Sequence, residues 1–184
     1  PEYFPFYEKI AQYDLPLFLQ PTNWEGYSLV DHEQGYKFMR IFGWAFDTTQ
    51  AVWRLIYGGV LDHFPSIKLV THHCGALIPF FIRRAEGTAA AKPELRNRLK
   101  KDLPDYWGNV YGDSVVGGPP SALACGYDFL GPDRMMYGSD YPFSAEAGEV
   151  SISTRLELVR GMKIPPENLN KILGENAKII LKIS

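Results

Sequence analysis

An α/β fold, with parallel strands joined by helices that cross outside them, is what this sequence predicts, and three observations predict it. The order strand, loop, helix recurs along the chain, with strands opening at Leu15, Lys68, Asn109 and Arg134. Alternation of that kind selects a parallel sheet with right-handed crossovers. The strand segments are short apolar runs, as strands covered on both faces require. Each gives way to Gly, Pro or a polar residue, so each has an end where a side chain is held firmly but left open to a ligand.

Length and composition set the bounds. With 184 residues, 46% of them hydrophobic, the chain is expected to fold as a single domain, 1–184, around one core. A formal charge of -2 offers no basic field, which argues against nucleic acid or an anionic membrane as partner. No apolar run has the length of a membrane span, and the first residues lack a signal-peptide pattern. Cys74 and Cys125 lie far apart without CxxC spacing, so a reduced, cytoplasmic setting is expected.

Taken in order, Tyr3 to Tyr13 has apolar residues on one side and is expected to be helical. Leu15 to Leu19 is a compact apolar run closed by Gln20 and Pro21, a buried strand whose end presents an amide. Thr22 to Asp47 is aromatic and irregular, with Trp24, Tyr27, Tyr36, Phe38, Phe42, Trp44 and Phe46, and with His32 among charged neighbours. It reads either as a pocket wall, with Trp24 the candidate to face a substrate, or as a cover for the sheet end. Asp47 or Thr48 is expected to cap a helix in which Val52, Leu55, Ile56 and Val60 recur at helical spacing. His63 falls at its far end, where a histidine suits the helix dipole.

The run Lys68 to Thr71 is the next strand, ending at His72 and His73; Gly75 permits a sharp turn, and the apolar run from Ala76 leads to Arg83 and Arg84. Lys92 to Trp107 reads as one charged helix with a solvated face. Asn109 to Ser114 is a strand, with Asp113 and Ser114 either on a site rim or in a simple turn. Ser121 to Leu130 forms a helix stopped by Gly131. Met135 to Tyr137 is a brief strand, after which Gly138 and Ser139 open the chain and Asp140 follows. Val150 to Met162, a helix from Pro165, and ENAKIILKI complete the chain.

Chemistry is expected at the strand ends. Parallel strands of one sheet end on one side, so a histidine from the second and Asp140 from the fourth would meet there. Successive side chains on an extended strand point to opposite faces, so at most one of His72 and His73 faces a site. A nucleophilic Cys74–His73 pair is the alternative chemistry, but no residue marks a separate general base, and a small buried thiol is the preferred account. Bland readings stand beside these: a hydrogen-bonded structural histidine, and Asp140 as a turn residue before Pro142.

With these residues in place, the chain resembles the amidohydrolase superfamily, in the branch of aminocarboxymuconate-semialdehyde decarboxylase, resorcylate-type decarboxylases and related metal-dependent hydrolases. The segments that carry the resemblance are LPLFLQP, GWAFDTTQAVWRLIYGGVLDHFPSIKLV, THHCGALIPFFIRR, YGSDYPF and GENAKIILKI. The resemblance implies a (β/α)8 TIM barrel with its site at the C-terminal strand ends, of which this chain is the C-terminal part, about four βα units. It implies that Asp140 ligates a divalent metal, zinc by expectation, or handles the proton of its water, that His73 is the acid-base residue, and that Arg84 reaches a substrate carboxylate across a dimer interface. Gln20 stands where the family has a histidine ligand, and the His-x-His of the family's first strand has no counterpart among His32, His63, His72 and His73.

The expectation is therefore a hydrolase or non-oxidative decarboxylase for a small carboxylated aromatic or unsaturated substrate. The alternative is a noncatalytic binding or assembly module that has lost its metal. A chain without an initiating methionine, carrying about half of a barrel, is expected to be a fragment that pairs with a missing N-terminal segment or a second copy. Alone it should bind metal weakly or not at all and be inactive.

Overall fold

The apolar runs form one parallel sheet. In the computed structural model, which describes residues 2–22, 37–143 and 148–183, the strands are β1 (Pro16–Leu19), β2 (Lys68–Thr71), β3 (Val110–Asp113) and β4 (Met135–Met136), hydrogen-bonded in the order β1-β2-β3-β4. Trp24, Tyr27, His32 and Tyr36 fall outside the described residues. Pairing is parallel throughout, with Leu17 opposite Leu69, Leu69 opposite Val110, and Gly112 opposite Met135.

That register sorts the side chains onto two faces. Leu69, Val110 and Met135 point to one face, where Val52, Ile56, Leu61, Leu123 and Leu130 from the crossover helices complete the core. These helices are α2 (Trp44–Tyr57), α3 (Val60–His63), α4 (Ile78–Ala91) and α6 (Pro120–Leu130). Val70 and Met136 point the other way, with half-buried Tyr111, and are covered by Ala177 and Ile180 of α9 (Asn176–Leu181). Lys182, just past α9, pairs with Asp14 at 2.9 Å, and Lys68 pairs with the same carboxylate at 2.5 Å. The end of the chain is thereby tied to the entrance of β1.

Four expectations change. The single helix expected to run on through Val60 to His63 breaks at Gly58 and Gly59, where Gly59 has φ of 77°, into α2 and α3. β1 is half-buried rather than buried, with Phe18 48% exposed, because among the described residues it has one sheet neighbour and so one free edge. Neither Asp47 nor Thr48 caps α2, since the helical chain already runs from Phe38 through a π-helical turn, Met39–Gly43, into Trp44. Asp47 instead accepts a hydrogen bond from the Thr22 amide at 3.1 Å and so fixes the chain just beyond β1. Lys92 to Trp107 is not one solvated helix. Pro93 begins the short α5 (Pro93–Arg96), Pro104 sits in a 3-10 segment (Leu103–Asn109), and Leu99, Leu103, Tyr106 and Trp107 are buried. Proline lacks an N–H and fits only the first turn of a helix, which breaks the segment at both places.

Other expectations match. α1 (Phe4–Gln12), α7 (Glu149–Arg160) and α8 (Pro166–Asn170) lie where the patterns put them, and Gly131 ends α6 with φ of 68°. His63 closes α3 with its Nδ1 2.8 Å from the Gly59 carbonyl. Among the described residues no helix is long and apolar enough to cross a membrane.

Candidate active site

The loops at the C-terminal ends of the strands surround a cavity of about 540 Å³ lined by Gln20 after β1, His73 after β2 and Asp140 after β4. Three strand-end residues singled out in the sequence thus meet. Pro21, Val115, Gly117 and Phe143 add apolar wall, and Trp44 stacks on His73 with ring centroids 6.3 Å apart and planes 23° from parallel. Arg40 and Arg155 complete the lining.

His73 reaches the cavity by a left-handed turn, not by strand alternation, because β2 has already ended at Thr71. His73, Cys74, Gly75 and Ala76 have φ of 57°, 56°, 82° and 58°, and the Ala76 amide donates to the His73 carbonyl at 2.8 Å. Left-handed backbone costs an L-residue about 1–2 kcal/mol, so His73, Cys74 and Ala76 are each held against their preference. Asp113, at the end of β3, does much of the holding. Its carboxylate accepts from the Cys74 amide at 3.0 Å and the Val115 amide at 2.9 Å and lies 3.2 Å from His72 Nδ1. Asp113 and His72 therefore support the turn from behind, and Asp113 does not line the cavity. Farther along, Thr49 Oγ1 accepts from the Leu77 amide at 3.1 Å.

Asp140 is positioned in a similar way. Its φ is 62°; before it, the Gly138 amide donates to Ser114 Oγ at 3.2 Å, and Ser151 Oγ donates to the Ser139 carbonyl. A Cβ on Gly138 would lie 2.9 Å from Asp113 Cβ, so this residue lets the β4 loop pack on the β3 end. Residue strain of this kind clusters where chemistry needs a fixed geometry.

Three candidates behave differently. Arg84 is exposed on α4 and borders another cleft, of about 660 Å³, with Trp53, Tyr57, Leu77 and Phe81; within this chain it does not join His73 and Asp140. Trp24 lies outside the described residues. Cys74 is buried, and burial, with Asp113 as a second cause, pushes its thiol up to about 12, which removes the nucleophile reading. Arg40, Arg155 and the supporting role of Asp113 were not legible beforehand. An arginine on a helix has the same local pattern whether it faces water or a cavity, and Asp113 before Ser114 reads as a site rim or a simple turn, neither of which is the support it gives to the β2 turn.

Among the described residues no group of three or more His, Cys, Asp or Glu side chains is placed to hold a metal ion. Asp140 and the Gln20 amide oxygen are oxygen donors on one cavity, but they fall short of the three protein ligands typical of catalytic zinc. The described residues alone do not fit a complete metal centre.

Comparison with known proteins agrees with the geometry. A 2-amino-3-carboxymuconate-6-semialdehyde decarboxylase of Dictyostelium discoideum is 30% identical over 179 residues, covering 96% of this chain and 47% of that protein. The crystal structure of 5-carboxyvanillate decarboxylase from Sphingomonas paucimobilis superposes with a TM-score of 0.83 at 25% identity, over 100% of this chain and 54% of that one. A dihydroxybenzoic acid decarboxylase from a Polaromonas species, solved with manganese and 2-nitroresorcinol, gives a TM-score of 0.83 at 22% identity, over 98% and 53%. The chain spans about half the length of these relatives, as part of a TIM barrel does. All three are decarboxylases, which gives the noncatalytic alternative no support. The amidohydrolase family model matches residues 1–183, and with the parallel sheet and its strand-end cavity this places the chain in the amidohydrolase family.

Proposed function

We propose that this chain supplies the C-terminal strand ends of a metal-dependent, non-oxidative decarboxylase acting on a small carboxylated aromatic or unsaturated compound. The observation that carries the reading is the convergence of Gln20, His73 and Asp140, from three strand ends, on one cavity walled by Trp44 and Phe143. Loss of carbon dioxide leaves an electron pair on carbon, which must take up a proton. His73 is the group to deliver it: stacked on Trp44, its ring is oriented, and its Nδ1 is buried with no hydrogen-bond partner among the described residues. Gln20 and Asp140 would hold the divalent metal together with donors outside the described set, and a bound ion would polarise the substrate. Zinc is the expectation from the family resemblance, whereas oxygen donors such as these suit a harder ion like manganese.

Trp24 and Arg84 enter the same proposal as substrate-binding residues. Arg84 lies outside the cavity of its own chain, on an exposed stretch of α4 beside Phe80, which is 77% exposed, so it would serve a second copy in a cytoplasmic homodimer. Decarboxylation is preferred to hydrolysis because the relatives named above are decarboxylases. The test is carbon dioxide release by the intact manganese-loaded protein from a panel of hydroxybenzoates and carboxymuconate-type acids. His73→Asn should cut kcat by about 10²–10⁴-fold, the usual share of a general acid, and Asp140→Ala should abolish turnover. Near-normal rates in either variant would sink the assignment.

A further inference from the structure

Arg155 faces the same cavity as His73 and Asp140 yet has no acidic partner among the described residues. It projects from α7, and its Nη1 donates to the Val116 carbonyl at 2.7 Å, between the cavity-lining Val115 and Gly117. That bond fixes the guanidinium against the wall. Its Nε is buried and has no hydrogen-bond partner, and no ion pair to a carboxylate is found for it among the described residues. Arginine cannot escape this by losing its proton, so a half-buried guanidinium without a counter-ion is costly unless an anion arrives. Arg40, on the π-helical turn before α2, lines the same cavity, and the two guanidinium groups outweigh the Asp140 carboxylate.

We propose that Arg155 is the in-chain anchor for the substrate's carboxylate, an inference that rests on the decarboxylase reading above and adds to it a recognition residue on α7. A carboxylate accepts two parallel hydrogen bonds from a guanidinium, and with Nη1 already engaged the fork presents its remaining edge. Trp44 and Phe143 then flank the ring of the bound acid. Arg155 acts on the ground state, since the negative charge it holds is lost as carbon dioxide leaves. Its removal therefore raises KM more than it lowers kcat.

The experiment is calorimetric titration of the intact manganese-loaded protein with 2,6-dihydroxybenzoate and with its carboxyl-free counterpart, resorcinol. Arg155→Gln should weaken the acid by about 10- to 100-fold, the loss expected for a charge-assisted hydrogen bond, and leave resorcinol within about 2-fold. Arg155→Lys keeps the charge without the fork and should recover part of the loss. Thermal unfolding of each variant reports whether it folds. If the glutamine variant does not, the lysine variant decides, because its acid affinity must fall while its resorcinol affinity holds. Acid affinity unchanged in Arg155→Gln, or a preference for the acid that disappears only in Arg40→Gln, overturns the anchor and leaves the decarboxylase reading intact. Wild-type protein that binds neither probe and releases carbon dioxide from no acid in the panel overturns both.

Discussion

Cys74 shows how one turn separates neighbouring side chains by chemistry. His73 faces the cavity, while the next side chain is driven into the core, 4% exposed, where burial raises its thiol to about 12 from an ordinary value of 9.0. The folded protein therefore holds this proton more tightly than the unfolded chain. Its contribution to stability is complete below about 9 and declines as the pH rises towards about 12. Thiolate is the reactive form, so at pH ~8 iodoacetamide should alkylate half-exposed Cys125 and spare Cys74 until the protein is denatured. Peptide mass mapping reads this directly, and equal labelling of both cysteines in the native state would contradict the buried placement. The same turn shows what the sequence could and could not say. His73 and Asp140 were legible because a polar residue after a short apolar run is a local signal. The hydrogen bonds of Asp113 to Cys74 and Val115 depend on two strands lying side by side, which no local pattern encodes.

Helix α6 holds that turn through a single close approach. A Cβ on Gly126 would stand 2.1 Å from Cys74 Sγ and 3.3 Å from the Cys74 carbonyl, so the absence of a side chain lets the helix seat against the turn. Gly126→Ala gains about 1 kcal/mol of helix propensity. Forcing a methyl into a filled core costs about 1–3 kcal/mol, so the clash should win. Urea denaturation should show a net loss of about 0–2 kcal/mol, the difference of those terms, and Cys74→Ala in the same chain should recover much of it. Additive losses in the double variant would mean that the two residues do not meet. Elements were read best where apolar spacing and a glycine stop agree, as in α6. They were read worst in Lys92 to Trp107, where the charges suggested a solvated helix but Leu99, Leu103, Tyr106 and Trp107 turn inward and the prolines interrupt it.

At the scale of the whole molecule, the alternation of elements was enough to give a parallel sheet in chain order. The two faces were not legible, because which residues of a short apolar run point inward depends on register. Among the described residues, helices cover one face, while the other receives Ala177 and Ile180 from α9 over Val70 and Met136, leaving Phe18 of β1 48% exposed. The α9 clamp is electrostatic at its end: Lys68 and Lys182 hold the Asp14 carboxyl down to about 2, so the pairing persists until the pH falls well below the usual carboxylate range. A polypeptide of these 184 residues alone would thus expose a strand edge together with apolar surface, a combination that invites pairing. Light scattering after gel filtration should give a mass above 20.8 kDa that grows with concentration, together with binding of an apolar dye. The same polypeptide should hold manganese or zinc only weakly, because Asp140 and Gln20 are the oxygen donors that its described residues bring to the cavity. A monomer of unchanging mass that takes up one tightly bound ion in equilibrium dialysis would show instead that these residues make a closed sheet and a full ligand set by themselves.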